Sequence, residues 1–220
     1  MPLSLERLRD LGFAPGLVFD VGAFRGDFAR MALAVWPEAR IACFDPLRHG
    51  IARIEALKET FPTIECYRTL VGAEERTEVP LRVANASTSV LRSRDSDTLP
   101  VEIVPQTTVD RAVERHYAGR APDFLKIDVQ GYELEVLKGA EGALAPGGTQ
   151  VILAEVNLLD LHEGVPLLDE LAGWLAARGF VAYDICGLIR RPLDDALWQA
   201  DMIFVRRDSA LRRDKGYFRV

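Results

Sequence analysis

Three cysteines in 220 residues, Cys43, Cys66 and Cys186, stand far apart, without the paired spacing of a zinc site or a redox motif. They are expected to be reduced side chains within mostly apolar runs. No stretch approaches the roughly 18 uninterrupted apolar residues of a membrane span, and Met1-Pro-Leu-Ser-Leu-Glu-Arg-Leu-Arg9 has no apolar targeting core. A soluble, cytoplasmic protein with no membrane partner is expected. Positive charge is not in surplus either: the net charge is −6, which argues against non-specific nucleic-acid binding, since that rests on phosphate neutralisation. No nucleic-acid partner is expected, although this charge leaves a structured RNA open. Internal repeats and low-complexity segments are absent.

With 49% hydrophobic and 27% charged residues, the remainder is ordinary globular composition. The length suits one α/β domain, expected to bury about 70% of the surface its unfolded chain exposes. The organising stretch is Leu17-Val-Phe-Asp-Val-Gly-Ala-Phe-Arg-Gly26. Its apolar run reads as a strand buried on both faces of a parallel sheet, and Phe28 to Trp36 then takes up a helical pattern. Between them Gly22 and Gly26 allow positive φ and close approach of a ligand, and the helix start offers unpaired N–H groups. A dinucleotide fingerprint fails because Phe24 and Asp27 stand where glycines are needed, and a phosphate loop fails because Asp27 and Phe28 follow Gly26. Asp20-x-Gly22-x-x-x-Gly26 instead suits a ligand with a cationic or amine group, as in S-adenosylmethionine (SAM); a plain strand-to-helix turn is the other reading.

The next strand, Arg40 to Asp45, ends in an acid 19 residues after Gly26, near the ~20-residue offset of ribose-binding carboxylates. Asp45 is a ribose candidate or an N-cap for the helix opening at Pro46. Ser4 can cap a first helix over Leu5, Leu8 and Leu11, which covers a sheet edge or lids the site. Thr63 to Val71 reads as a third strand, Glu78 to Val83 as an edge or excursion strand because of Pro80, and Val101 to Val104 as another. Asn85 to Ser89 and the polar run Arg92 to Thr98 form a loop. Thr107 or Thr108 can cap a helix whose His116 is a surface side chain.

Asp123-Phe-Leu-Lys-Ile-Asp128 is the second informative stretch. A lysine in a buried strand needs a partner, and Lys126 and Asp128 alternate onto one side, so they can pair with each other. The pair is structural or functional; its place at a strand's C-terminal end, where open α/β sheets bind ligands, favours function. Thr149 to Val156 is a fifth strand with Glu155 near its end, followed by a loop containing His162 and a helix from Val165 to Arg178. Phe180 to Ile185 and Asp201 to Arg206 are joined by about fifteen polar residues, too few for a helical crossover, so an antiparallel final pair is expected. The domain is bounded as an N-terminal helix over 1–16, a core over 17–206 and a basic tail over 207–220, read first as solvated and second as an anionic-partner contact.

Phe19-Asp-Val-Gly-Ala-x-x-Gly26, Phe44-Asp-Pro46 and above all Phe124-Leu-Lys-Ile-Asp-Val-Gln-Gly-Tyr-Glu-Leu-Glu-Val-Leu-Lys-Gly-Ala140 resemble the FkbM family of SAM-dependent methyltransferases. The resemblance runs from about residue 17 to 205. It implies a class I methyltransferase fold: a Rossmann-like, seven-stranded mixed sheet with its last strand antiparallel and helices on both faces. It also implies SAM contacts at Asp20, Gly22, Ala23, Gly26, Asp45 and Pro46, with Asp20 and Gly22 at the methionine end, Asp45 on ribose and Asp128 beside the methyl group. Phe24 and Gln130 depart from the family's Asn and Glu, and the latter removes a carboxylate. The expected catalytic residues are Asp128 as base or orienter, Lys126 as its support and His162 as a second proton acceptor. No metal is assigned. The expected acceptor is a small hydroxylated molecule such as a sugar or natural product, shaped by loops 84–100 and 157–166, with N- or C-methylation and non-catalytic SAM binding as alternatives; a homodimer is left open.

Overall fold

The computed structural model describes residues 1–83, 89–91 and 98–217. In chain order the elements are α1 (Pro2–Asp10), β1 (Leu17–Val21), α2 (Asp27–Val35), β2 (Arg40–Phe44), α3 (Arg48–Leu57), β3 (Ile64–Tyr67), β4 (Leu70–Val71), β5 (Arg76–Arg82), β6 (Val101–Thr107) and α4 (Val109–Tyr117). After these come β7 (Phe124–Ile127), α5 (Glu133–Lys138), β8 (Val151–Asn157), α6 (Leu168–Ala177), β9 (Phe180–Arg190) and β10 (Leu197–Arg206).

Seven strands form one sheet in the order β3-β2-β1-β7-β8-β10-β9, and β4-β6-β5 form a small second sheet. The first five of the main sheet are parallel, whereas β10 runs antiparallel to both β8 and β9. Strand order reverses between β1 and β7, and the crevice beyond their carboxyl ends is where such sheets bind ligands. β1 is buried at all five positions, because its alternate side chains enter two different cores. Leu17, Phe19 and Val21 pack with α4, α5 and α6 on one face, while Val18 packs with Leu5, Leu8, Phe28 and Ile54 from α1, α2 and α3 on the other. The expected α/β fold with helices on both faces is therefore present.

Several local expectations are corrected. Met1 rather than Ser4 caps α1, and Ser4 is buried within that helix while Leu11 is exposed. The run Thr63 to Val71 is two strands, because β4 leaves the main sheet to pair with β6. The supposed polar joint before Asp201 is mostly strand: β9 continues to Arg190, and its hairpin with β10 turns over 191–196. Thr108 does cap α4, its Oγ1 accepting the Arg111 N–H at 3.0 Å. Most of the expected acceptor loop, residues 84–88 and 92–97, lies outside the described residues. Among the described residues no helix is long and apolar enough to cross a membrane.

Candidate active site

The carboxyl ends of β1, β2, β7 and β8 open onto a cavity of about 270 Å³. Its lining brings the polar side chains Asp45, Asp128, Gln130 and Glu155 together with Gly22, Phe24, Pro46, Leu70, Leu81, Val90, Val129 and Ile189. Gly22 and Phe24 bring the β1–α2 loop to it. Gly22 has φ +77°, and a Cβ there would lie 1.8 Å from the Asp128 carbonyl oxygen. Only glycine lets this loop pass so close to the turn that carries Asp128. Phe24 also has positive φ, +49°, in a region that asparagine tolerates better than an aromatic side chain. Its N–H compensates by donating to Asp45 Oδ2 at 2.8 Å.

Asp45 also accepts the Leu47 N–H on Oδ1 at 2.8 Å. It thereby ties the glycine loop to the segment leading into α3. The cap residue of α3 is Leu47, so the N-cap reading of Asp45 does not hold. Burial raises the Asp45 pKa, against the lowering effect of those two backbone donors. Each carboxylate oxygen has a second lone pair, and the residue remains on the cavity wall.

Lys126 has its partner, but a different one from that expected. Its register neighbour across the β1–β7 pairing is Asp20, and Nζ lies 3.0 Å from Asp20 Oδ1 but 3.7 Å from Asp128 Oδ2. Nζ also donates to the Gly22 carbonyl at 2.8 Å. Burial acts to lower the ammonium's pKa, but Asp20 and Asp128 outweigh it and hold the value above the ordinary range. Asp20 is fully buried and its pKa is raised by desolvation in spite of Lys126. Asp20 is not among the lining residues, and neither are Ala23 and Gly26. Gly26 instead caps α2 with φ +78°.

At the other end of the cavity, Gln130 Nε2 donates to Asp128 Oδ1 at 3.2 Å and to Glu155 Oε1 at 3.2 Å. Gln199 Nε2 reaches Glu155 Oε1 at 2.6 Å. Burial pushes the Glu155 carboxyl up to about 9, with Asp128, Glu133 and Asp201 adding to the effect. Lys126 thus stands among Asp20, Asp128, Glu155 and Asp201, and a cationic ligand would favour the ionised form of those carboxyls that burial holds protonated. His162 is not among the lining residues: it is buried, its Nδ1 has no hydrogen-bond partner among the described residues, and burial lowers its pKa.

Sequence reasoning missed Gln199 and Ile189. Both fall in the segment read as a polar joint, and nothing local marks that Ile189 lines the cavity or that buried Gln199 reaches Glu155 behind it. Among the described residues no group of three or more His, Cys, Asp or Glu side chains is arranged to hold a metal ion.

No curated protein matches the sequence. Among solved structures, the fold is similar to that of magnesium protoporphyrin IX methyltransferase from Synechocystis PCC 6803, solved with bound SAM. That likeness has 10% identity and TM-score 0.52, covering 93% of this chain and 79% of that one. An rRNA methylase from Streptococcus thermophilus is similar at 10% identity and TM-score 0.51, covering 93% and 94% of the two chains. These likenesses concern the fold. Residues 20–182, well over half of the chain, match the methyltransferase FkbM domain, and the protein belongs to that family.

Proposed function

We propose that this SAM-dependent methyltransferase transfers its methyl group to a hydroxyl oxygen of a small molecule such as a sugar or natural product, with Asp128 taking the hydroxyl proton. The donor fits the residues present. Its sulfonium and α-amino charges would meet the carboxyl cluster around Lys126, and its ribose would meet the free lone pairs of Asp45. When bound, SAM supplies an electrophilic methyl group.

The observation that carries the oxygen reading is the carboxylate at Asp128, aimed into the cavity beside the Lys126 ammonium and bridged by Gln130 to Glu155. An aliphatic hydroxyl is about as weak an acid as water, with pKa roughly 15–16, so its attack gains from a base in reach. Glu155 is unsuited to that role at neutral pH because burial keeps it protonated. It can hold the acceptor by hydrogen bonding instead. Lys126 keeps Asp128 in place electrostatically and does not itself line the cavity.

Calorimetric titration with SAM and S-adenosylhomocysteine tests the cofactor site. Saturable binding is expected for the wild type, with a loss of at least about tenfold in Asp45→Ala, which removes one charged acceptor of two backbone N–H groups as well as the ribose contact. A folded wild type that binds neither compound would sink the assignment.

A pH series adds a second arm. The folded Glu155 carboxyl is raised to about 9, so a cationic ligand that favours its ionised form must displace a proton below that pH. SAM affinity is expected to rise by up to about tenfold per pH unit from 7 toward 9. Glu155→Gln should remove that dependence and leave only the ligand's own titration. Parallel pH profiles for the two proteins would refute the linkage.

A further inference from the structure

The turn that brings Asp128 and Gln130 to the cavity holds Gln130 in a conformation that a non-glycine residue does not favour. Gln130 has φ +56° and Gly131 φ +96°, and a non-glycine residue in that region persists only when its surroundings hold it there. The Asp128 N–H donates to the Val21 carbonyl at 3.0 Å, and Ser89 Oγ donates to the Gln130 carbonyl at 2.7 Å. The third hold is Glu133. Its Oε1 accepts both the Val129 N–H at 3.0 Å and the Gly131 N–H at 3.1 Å, so one oxygen spans the turn from below. Glu133 is completely buried and is not a lining residue, so it is not positioned to touch a ligand.

We propose that Glu133 is a positioning residue: acting through the 128–131 turn, its carboxyl sets where Asp128 and Gln130 stand in the cavity. The proposal rests on the methyltransferase reading for the purpose of the turn, but its geometry is independent of that reading. A buried carboxyl beside two other acids is a costly way to satisfy two amides, and α5 could begin with an apolar residue if packing were all that mattered. Its Oε2 has no hydrogen-bond partner among the described residues. Desolvation pushes the carboxyl up to about 7, with Asp128 contributing; Glu155 faces the same group from β8. In the neutral form the proton can sit on Oε2 while Oε1 goes on accepting both N–H bonds. The clamp therefore works through one oxygen, which glutamine can reproduce and valine cannot.

Amide hydrogen exchange and SAM titration on the wild type, Glu133→Gln and Glu133→Val test this. In Glu133→Val the Val129 and Gly131 amides should exchange about tenfold or more faster relative to β1 and β7 amides, with SAM binding weakened by a similar factor. Glu133→Gln should restore both to within about threefold of the wild type. Unchanged exchange in Glu133→Val would overturn the proposal, as would an acceleration spread evenly over the core, which would assign Glu133 to stability alone. Should Glu133→Val not fold, Glu133→Gln decides: selective loss of protection at the two amides despite the retained carbonyl would also overturn it. If the wild type binds no SAM, the cofactor reading fails separately while the exchange data still decide the role of Glu133.

Discussion

Lys126→Met is expected to lower stability by about 3–5 kcal/mol, the usual cost of removing one partner of a buried ion pair. The argument starts from burial: the lysine side chain is 6% exposed and that of Asp20 is 0%. Methionine has nearly the right volume, so packing against Phe28, whose ring lies 5.9 Å from Nζ, is largely kept. What disappears is the cation paired with Asp20 and the donor to the Gly22 carbonyl. At 220 residues this corresponds to a fall in Tm of roughly 10 °C.

Two controls separate charge from shape. Adding Asp20→Asn to Lys126→Met should recover more than half of the loss, because the uncompensated charge is then gone. An unpaired Asp20 would have a folded pKa raised further above its unfolded value, and such a group contributes stability below the unfolded pKa that is lost as pH rises through the folded one. The deficit of the single variant should therefore be larger at pH 8 than at pH 5. A deficit independent of pH and untouched by Asp20→Asn would identify a packing defect instead.

How legible this was depended on whether the information is local. β1, its glycine loop and α2 were readable because a doubly buried parallel strand is an uninterrupted apolar run and the loop's φ values demand glycine at Gly22 and Gly26. The need of Lys126 for a counter-charge was also readable. Its identity was not, because strand register decides it. Asp128 lies two residues along the same strand, but Asp20 lies directly across the pairing to β1 and is closer. The same limitation bears on Asp20 itself, which reads as a ligand-facing acid by motif but is fully buried and is not among the cavity-lining residues.

β9 was obscured for a different reason. As the edge strand it leaves Ile185, Leu188 and Ile189 substantially exposed, and Gly187 sits opposite Asp201, where a Cβ would come within 2.1 Å of Oδ2. A register shift follows that pair, and such a bulge breaks the alternation by which a strand is recognised. Glu133 reads as an ordinary acid in the first turn of a helix. Its burial arises only when the 128–131 turn folds over it, an event no local pattern records.

Asp128→Asn tests the chemistry most directly. Turnover of a hydroxylated acceptor, measured as S-adenosylhomocysteine release, is expected to fall by about 10²–10⁴-fold, the usual contribution of a positioned general base. The substitution is close to isosteric. An asparagine Oδ1 can still accept from Gln130 Nε2, and Lys126 keeps Asp20 as its nearer partner, so the cavity wall should hold its shape. SAM affinity should change far less than turnover, because removing one of several carboxylates leaves Glu155 and the Asp45 contact in place. A fall in kcat with KM for the acceptor little changed marks an interaction made chiefly in the transition state. A neutral amine acceptor carries its own lone pair and needs no proton removed before attack. Near-wild-type turnover in Asp128→Asn would therefore favour nitrogen as the methyl acceptor and leave Asp128 as a partner of Lys126 and Gln130.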